Sequence, residues 1–138
     1  MPSDIKITVT NRHGRSCASS GSKWEPKMGY SRAVRSGNFI AVTGTVGIGM
    51  DGKYSPSLEE QARRSLQIIQ AALEALGGQL HHIIRTRLFV TDVSKWEQVA
   101  KAHGELFADI RPATTIVEVA KLIDAEAQIE IEVDAIVG

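Results

Sequence analysis

Arg111-Pro112-Ala113-Thr114-Thr115-Ile116-Val117-Glu118-Val119, followed by Gln128-Ile129-Glu130-Ile131-Glu132-Val133-Asp134-Ala135-Ile136, is the stretch that decides the fold of this chain. Its second part alternates apolar and polar residues with a period of two, the signature of a strand with one buried face. Ile129, Ile131 and Val133 then point into a core, while Gln128, Glu130, Glu132 and Asp134 line the opposite face. Thr115 to Val119 predicts a second strand, and Ile83 to Val90 a third. In the third, Ile84, Thr86, Leu88 and Val90 share one face, and Ile83, Arg85, Arg87 and Phe89 the other. One side of the sheet is therefore apolar, and the other sets Arg85 and Arg87 against a row of carboxylates. A polar sheet face is ordinarily a solvated one.

Ser57-Leu58-Glu59-Glu60 reads as a capping box, in which the Ser57 hydroxyl takes an unpaired backbone N–H and Glu60 reaches back to the cap. Ala62, Leu66, Ile69, Leu73 and Leu76 follow at helical spacing, and Gly77-Gly78 supplies a left-handed stop. Ser94-Lys95-Trp96-Glu97 reads as a second box and predicts a helix as far as Ala108, with Val99, Ala102, Leu106 and Phe107 inward. His103 lies on the core side of that helix and is expected to be a neutral, packed histidine. Towards the N-terminus, residues 5–9 alternate as a strand, and 11–29 read as an irregular loop rich in Gly, Ser and charge that also holds Cys17. Strands at 30–35 and 39–45 flank a turn at Ser36-Gly37-Asn38, where Gly37 or Asn38 takes positive φ. The order is βββαβαββ, an α+β domain with two helices on one face of a mixed sheet.

At 138 residues, 43% hydrophobic and 23% charged, the chain suits a single domain over 1–138, with 1–29 as its N-terminal strand and loop. Sixteen basic and sixteen acidic side chains leave no net charge. The long-range field that draws proteins to nucleic acid or anionic membranes is thus absent, and neither partner is expected. Met1-Pro2-Ser3-Asp4 lacks the order of a secretory signal and the apolar runs are short, so a cytoplasmic protein is expected. One cysteine excludes an intrachain disulfide and a thiolate cage, and no Asp/His pair has ligand spacing, so neither metal nor cofactor is expected. Gly44-Thr45-Val46-Gly47-Ile48-Gly49 lacks the Lys-Ser/Thr ending of a phosphate loop, and the chain has no Gly-x-Ser-x-Gly elbow. Nucleotide binding and serine hydrolysis are set aside.

Together with Tyr30-Ser31-Arg32-Ala33-Val34 and Thr43-Gly44-Thr45, the C-terminal stretch resembles the Rid family, also called YjgF/YER057c/UK114, most densely from Arg85 to Val133. The resemblance implies a chorismate-mutase-like fold and a homotrimer with sheets around a central barrel and three small-molecule clefts between subunits. In that setting the polar sheet face becomes interface. Matched position by position, Tyr30 and Thr43 bring hydroxyls to the cleft with Gly44 beside them, Trp96 is its aromatic wall, and Glu130 is the glutamate that positions a water. In deaminating Rid proteins the residue two after the proline is an arginine that grips a substrate carboxylate; here it is Thr114. Ile116 stands for a frequent cysteine, Ala100 for an asparagine and Thr45 for a glutamine.

An arginine fork makes two charge-assisted hydrogen bonds of about 1.5–3 kcal/mol each, and threonine offers one neutral hydroxyl. Losing the fork costs about 3–5 kcal/mol, a factor of hundreds to thousands in affinity. Arg87 is the first candidate to compensate, then Arg111, then Arg32; alternatively Arg87 forms an ion pair with Glu130 or Glu132. Glu130 likewise reads either as a general base or as a strand-face ion pair. Three functions remain open. One is hydrolysis of a reactive imine or enamine with a non-standard anchor. A second is non-catalytic ligand binding or sensing in the same cleft. The third and last-ranked is the endoribonuclease or translation-inhibitor activity ascribed to some family members, which the zero net charge opposes.

Overall fold

The computed structural model describes residues 4–138, so Met1, Pro2 and Ser3 of the opening segment lie outside the described residues. Along the chain run β1 (Thr8–Arg12), β2 (Arg15–Ser19), α1 (Trp24–Met28), β3 (Ala33–Ser36), β4 (Phe39–Val46), α2 (Leu58–Ala75), β5 (Ile83–Val90), α3 (Trp96–Phe107), β6 (Ala113–Glu118) and β7 (Ile129–Ile136). The strands form one mixed sheet in the order β1-β2-β3-β4-β7-β5-β6, with β5 and β6 parallel and the other neighbours antiparallel. β4 and β5 both run antiparallel to β7, hence parallel to each other. α2 joins that pair across β7, and α3 joins β5 to β6. Crossovers between parallel strands are right-handed, and two that advance the same way across a sheet place both helices on one face. The architecture is α+β.

β7 is hydrogen-bonded on both sides, which puts its apolar row of Ile129, Ile131, Val133 and Ala135 at the centre of the core. Ala62, Leu66, Ile69 and Leu73 of α2 pack there with Ile40 and Val42 of β4. Ser57 Oγ accepts the Glu60 N–H at 3.2 Å, but the Glu60 carboxylate pairs with Arg63 instead of returning to the cap. Gly77, at φ 84°, closes the helix end as expected. The second box is not used. Asp92 Oδ1 accepts both the Ser94 N–H (3.1 Å) and the Ser94 hydroxyl (2.6 Å), so a 3-10 turn over Val93–Lys95 precedes α3. An ionised carboxylate is the stronger acceptor and captures the serine that was to cap the helix.

The N-terminal region departs most from expectation. The strand read at 5–9 is β1 at Thr8–Arg12, and the segment read as loop holds β2 and α1. The turn between β1 and β2 is His13-Gly14, with φ 55° and 78°, the double positive φ that a two-residue hairpin requires. Histidine is a rarer occupant of that position than asparagine, which hides the turn in the sequence. Cys17 sits in β2 opposite Val34 and is buried, not in the irregular loop expected of it. In β5 the register passes from Ile83 opposite Ala135 to Arg85 opposite Asp134, leaving Ile84 as the extra residue of a bulge. The two isoleucines therefore exchange the faces expected of them: Ile83 is 2% exposed and Ile84 48%.

Candidate functional site

A β-bulge builds the first part of the site. In β4, Val42 pairs with Val133 and Thr45 with Ile131, so Thr43 and Gly44 together oppose Glu132. The extra residue turns Thr45 inward to 2% exposure and brings Gly44 against Glu130. A Cβ on Gly44 would lie 2.7 Å from Glu130 Cδ and 2.9 Å from Cγ, so only glycine leaves room for that carboxylate. Glu130 is half-buried, and burial, helped by the nearby Glu132 charge and opposed by Arg32, raises its pKa above the ordinary glutamate value.

Arg32 organises this corner. Its guanidinium is buried, donates to Gly44 O (2.9 Å), Thr45 Oγ1 (3.3 Å) and Ser20 Oγ (3.2 Å), and lies 3.5 Å from both Glu25 Oε2 and the Tyr30 hydroxyl. Glu25, on α1, is 4% exposed and also accepts from the Ser20 N–H and hydroxyl. Tyr30 and Thr43 line a cleft of about 960 Å³, together with Cys17, Glu25, Glu132 and Asp134.

The second part lies at the other edge of the sheet. Thr114 on β6 pairs in register with Thr86 on β5, and their hydroxyls are 2.8 Å apart. Thr86 Oγ1 also lies 3.0 Å from His103 Nε2 on α3, and the Thr114 hydroxyl donates to Pro112 O at 3.2 Å. The His103 ring tilts against Phe107 with centroids 4.5 Å apart, and burial lowers its pKa, which keeps it neutral as expected. Arg111, just before Pro112, has φ 55°, an unfavourable value for a residue with a side chain. Trp96 opens α3 and is 53% exposed, with Ala100 exposed one turn further on.

Thr86 and Thr114 face the helices, whereas Glu130, paired with Phe89, faces the open side of the sheet. One chain therefore brings Tyr30, Thr43, Gly44 and Glu130 to one corner, and sets Thr114, at the β6 edge, and Trp96, at the start of α3, away from it on the helix side of the sheet. Arg87 pairs with two carboxylates that line the cleft beside Tyr30 and Thr43. Its Nη1 lies 3.1 Å from Glu132 and 3.4 Å from Asp134, the ion-pair option that the sequence left open. Arg85 adds a longer contact of 3.8 Å to Asp134. The glycines of 44–49 are close-approach positions; at Gly47 a Cβ would lie 2.8 Å from the Gln61 Cα.

Two supporting residues gave no sequence signal. Gln61 is 1% exposed; its amide donates to Ser55 O (2.8 Å) and Glu126 O (3.0 Å) and accepts the Gln128 N–H (2.8 Å), fixing the entry to β7 just ahead of Glu130. Tyr54 donates to Asp124 at 2.6 Å, and burial followed by that carboxylate raises its pKa strongly. Both act across 65 or more residues of sequence, beyond any local pattern. Among the described residues no cluster of three or more His, Cys, Asp or Glu side chains is placed to hold a metal, and no helix is long and apolar enough to cross a membrane.

The pattern of the Endoribonuclease L-PSP family matches residues 21–137. A Mycobacterium tuberculosis protein, Rv2704, described as a member of the YjgF/YER057c/UK114 family, superposes with a TM-score of 0.83 at 42% identity, covering 89% of this chain and 99% of that one. The chain belongs to the Rid family. Its fold is accordingly chorismate-mutase-like, and β1 and β2 precede the stretch that the family pattern covers. Among further Rid relatives, an uncharacterised Streptomyces coelicolor protein is 33% identical over 120 residues, 86% of this chain and 90% of the relative. An Escherichia coli relative described as a 2-iminobutanoate/2-iminopropanoate deaminase is 32% identical over 111 residues, 78% of this chain and 86% of the relative.

Proposed function

We propose that this Rid protein is a cytoplasmic homotrimer that binds a small molecule in clefts between subunits and hydrolyses a reactive imine or enamine there. The observation that carries this reading is the fit of Glu130 against Gly44, a half-buried carboxylate of raised pKa in space that only a glycine provides. Tyr30, Thr43 and Gly44 bind the ligand on that side, and Trp96 and Thr114 of a neighbouring subunit complete the wall. Separation of the two corners within one chain is what a shared cleft requires. The E. coli relative's name supports C=N chemistry.

Glu130 takes a proton from water as the water oxygen bonds to the C=N carbon and passes it to the nitrogen; it then takes the proton of the new hydroxyl and delivers it to the amine as the C–N bond breaks, releasing ammonia and a carbonyl product. Arg87 stays with Glu132 and Asp134 and shapes the cleft without gripping the ligand. With Thr114 as the anchor, imines bearing a free carboxylate are poor substrates.

Ammonia release from 2-iminopropanoate generated in situ tests the reading. Near-background turnover is expected from the native sequence, a detectable rise from Thr114→Arg, and loss of that rise on adding Glu130→Gln. Sedimentation should give a trimer. A stable monomer at micromolar concentration refutes the shared cleft; turnover that survives Glu130→Gln removes Glu130 from the chemistry. Ligand binding that Trp96→Ala weakens, with no turnover of any imine, assigns the cleft to binding alone.

A further inference from the structure

The hydrogen bonds around Thr114 form a chain whose direction follows from counting protons. Pro112 O can only accept, so the single Thr114 hydroxyl proton goes to it. The 2.8 Å contact between Thr114 and Thr86 must then be donated by Thr86. Thr86, fully buried, has no second proton for the 3.0 Å contact to His103, so His103 Nε2 must carry one. The opposite direction, with Thr114 donating to Thr86 and Thr86 to the ring, leaves the Pro112 contact unmade. Only the direction from ring to carbonyl satisfies all three contacts.

We infer that His103, through Thr86, positions the Thr114 hydroxyl as an oriented donor for an uncharged carbonyl oxygen of the ligand. The inference rests on the reading above that Thr114 faces a ligand cleft. Thr114 holds its proton on Pro112 O by the longest contact of the chain, 3.2 Å, and Thr114 is exposed on an edge strand, so a ligand oxygen can take that proton at little cost. Donation from Thr86 polarises the Thr114 O–H and strengthens it as a donor. Burial keeps the imidazole neutral, so the relay presents dipoles and no charge.

Two of the three candidate cations are already engaged. Arg87 is held by Glu132 and Asp134, and Arg32 by Glu25 and three neutral acceptors. A carboxylate would lose its hydration for one neutral hydrogen bond, whereas an amide or ester carbonyl loses far less. The ligand group that meets the Thr114 hydroxyl is therefore an uncharged carbonyl oxygen; Arg111, exposed beside Pro112 and outside any ion pair among the described residues, is the one compensating candidate left for a carboxylate, and lactate binding more tightly than lactamide would assign it that role. His103 and Thr86 are positioning residues, and Thr114 is the residue that touches the ligand.

The test uses the full chain, labelled with 15N, at neutral pH. Long-range 1H–15N spectra of the free protein should show His103 protonated on Nε2. Lactamide should shift the Thr114 amide resonance and bind more tightly than lactate. Thr86→Val should weaken lactamide binding by about tenfold, the scale of one lost charge-free hydrogen bond, and Thr86→Ser should restore it. A ring protonated on Nδ1 alone overturns the inference. So does lactamide binding equally well to Thr86→Val, lactate binding more tightly than lactamide, or no shift at Thr114 with saturating lactamide. The tautomer is read without ligand or turnover, so it is independent of the shared-cleft reading, which fails instead on a monomeric protein.

Discussion

Gly44→Ala probes the contact on which the proposed chemistry depends. Gly44 does not have positive φ, so alanine fits the backbone and the cost comes from the new methyl group. That methyl would lie 2.7 Å from Glu130 Cδ and 2.9 Å from Cγ, and the carboxylate must swing away. Overpacking of this kind costs about 1–3 kcal/mol, and because the obstructing atoms belong to a flexible side chain the expected loss is near the lower end, about 1 kcal/mol. For a chain of this size that corresponds to a fall in Tm of about 3–5 °C. Glu130→Ala removes the obstructing atoms. In that background Gly44→Ala should become neutral or stabilising by about 0.5 kcal/mol, because alanine restricts the unfolded chain more than glycine. Urea denaturation of the two single variants and the double variant measures the difference, an interaction energy of about 1 kcal/mol or more. The same Gly44→Ala change should abolish hydrolysis attributed to Glu130. Equal destabilisation in both backgrounds would refute the contact as the reason for glycine.

Gly47→Ala should be far worse, by about 3 kcal/mol or more, since its Cβ would meet the Gln61 backbone, which cannot turn aside; circular dichroism melting decides. Arg32→Met leaves Glu25 buried without its cation and should cost about 3–5 kcal/mol, with the fluorescence of adjacent Trp24 following the unfolding. Glu130 has its pKa raised above the ordinary 4.5 on folding, chiefly by burial, so its ionisation disfavours the folded state. Its contribution is complete below the unfolded pKa and is lost as pH rises through the folded pKa. Glu130→Gln should therefore gain stability relative to the native sequence at neutral pH but not in acid, as denaturation at both pH values would reveal. Any Glu130-dependent hydrolysis should rise through a pKa above 4.5.

Local patterning was enough to read the C-terminal sheet, the two long helices and the α+β class. Period-two alternation in β7 and 3.6-residue spacing in α2 record burial on one face, and each such element carries its own pattern. The sequence also offered Tyr30, Thr43, Gly44, Trp96, Thr114 and Glu130 as candidate site residues, because the Rid resemblance rests on contiguous motifs such as Tyr30–Val34, Thr43–Thr45 and Arg111–Val119. The first twenty-nine residues were poorly legible: β2 has only Cys17 and Ala18 as buried apolar residues, and its turn uses histidine where asparagine is usual. Whatever depends on strand pairing and register emerged only on folding. The β5 bulge turned Ile83 inward and Ile84 outward, and the β4 bulge set Gly44 against Glu130. Only the folded chain engaged Arg87 with Glu132 and Asp134, tied Gln61 to the chain entering β7, and linked His103 to Thr114 through Thr86. A bulge shifts every later side chain by one position, and these contacts join residues far apart in sequence, so neither leaves a trace in local periodicity.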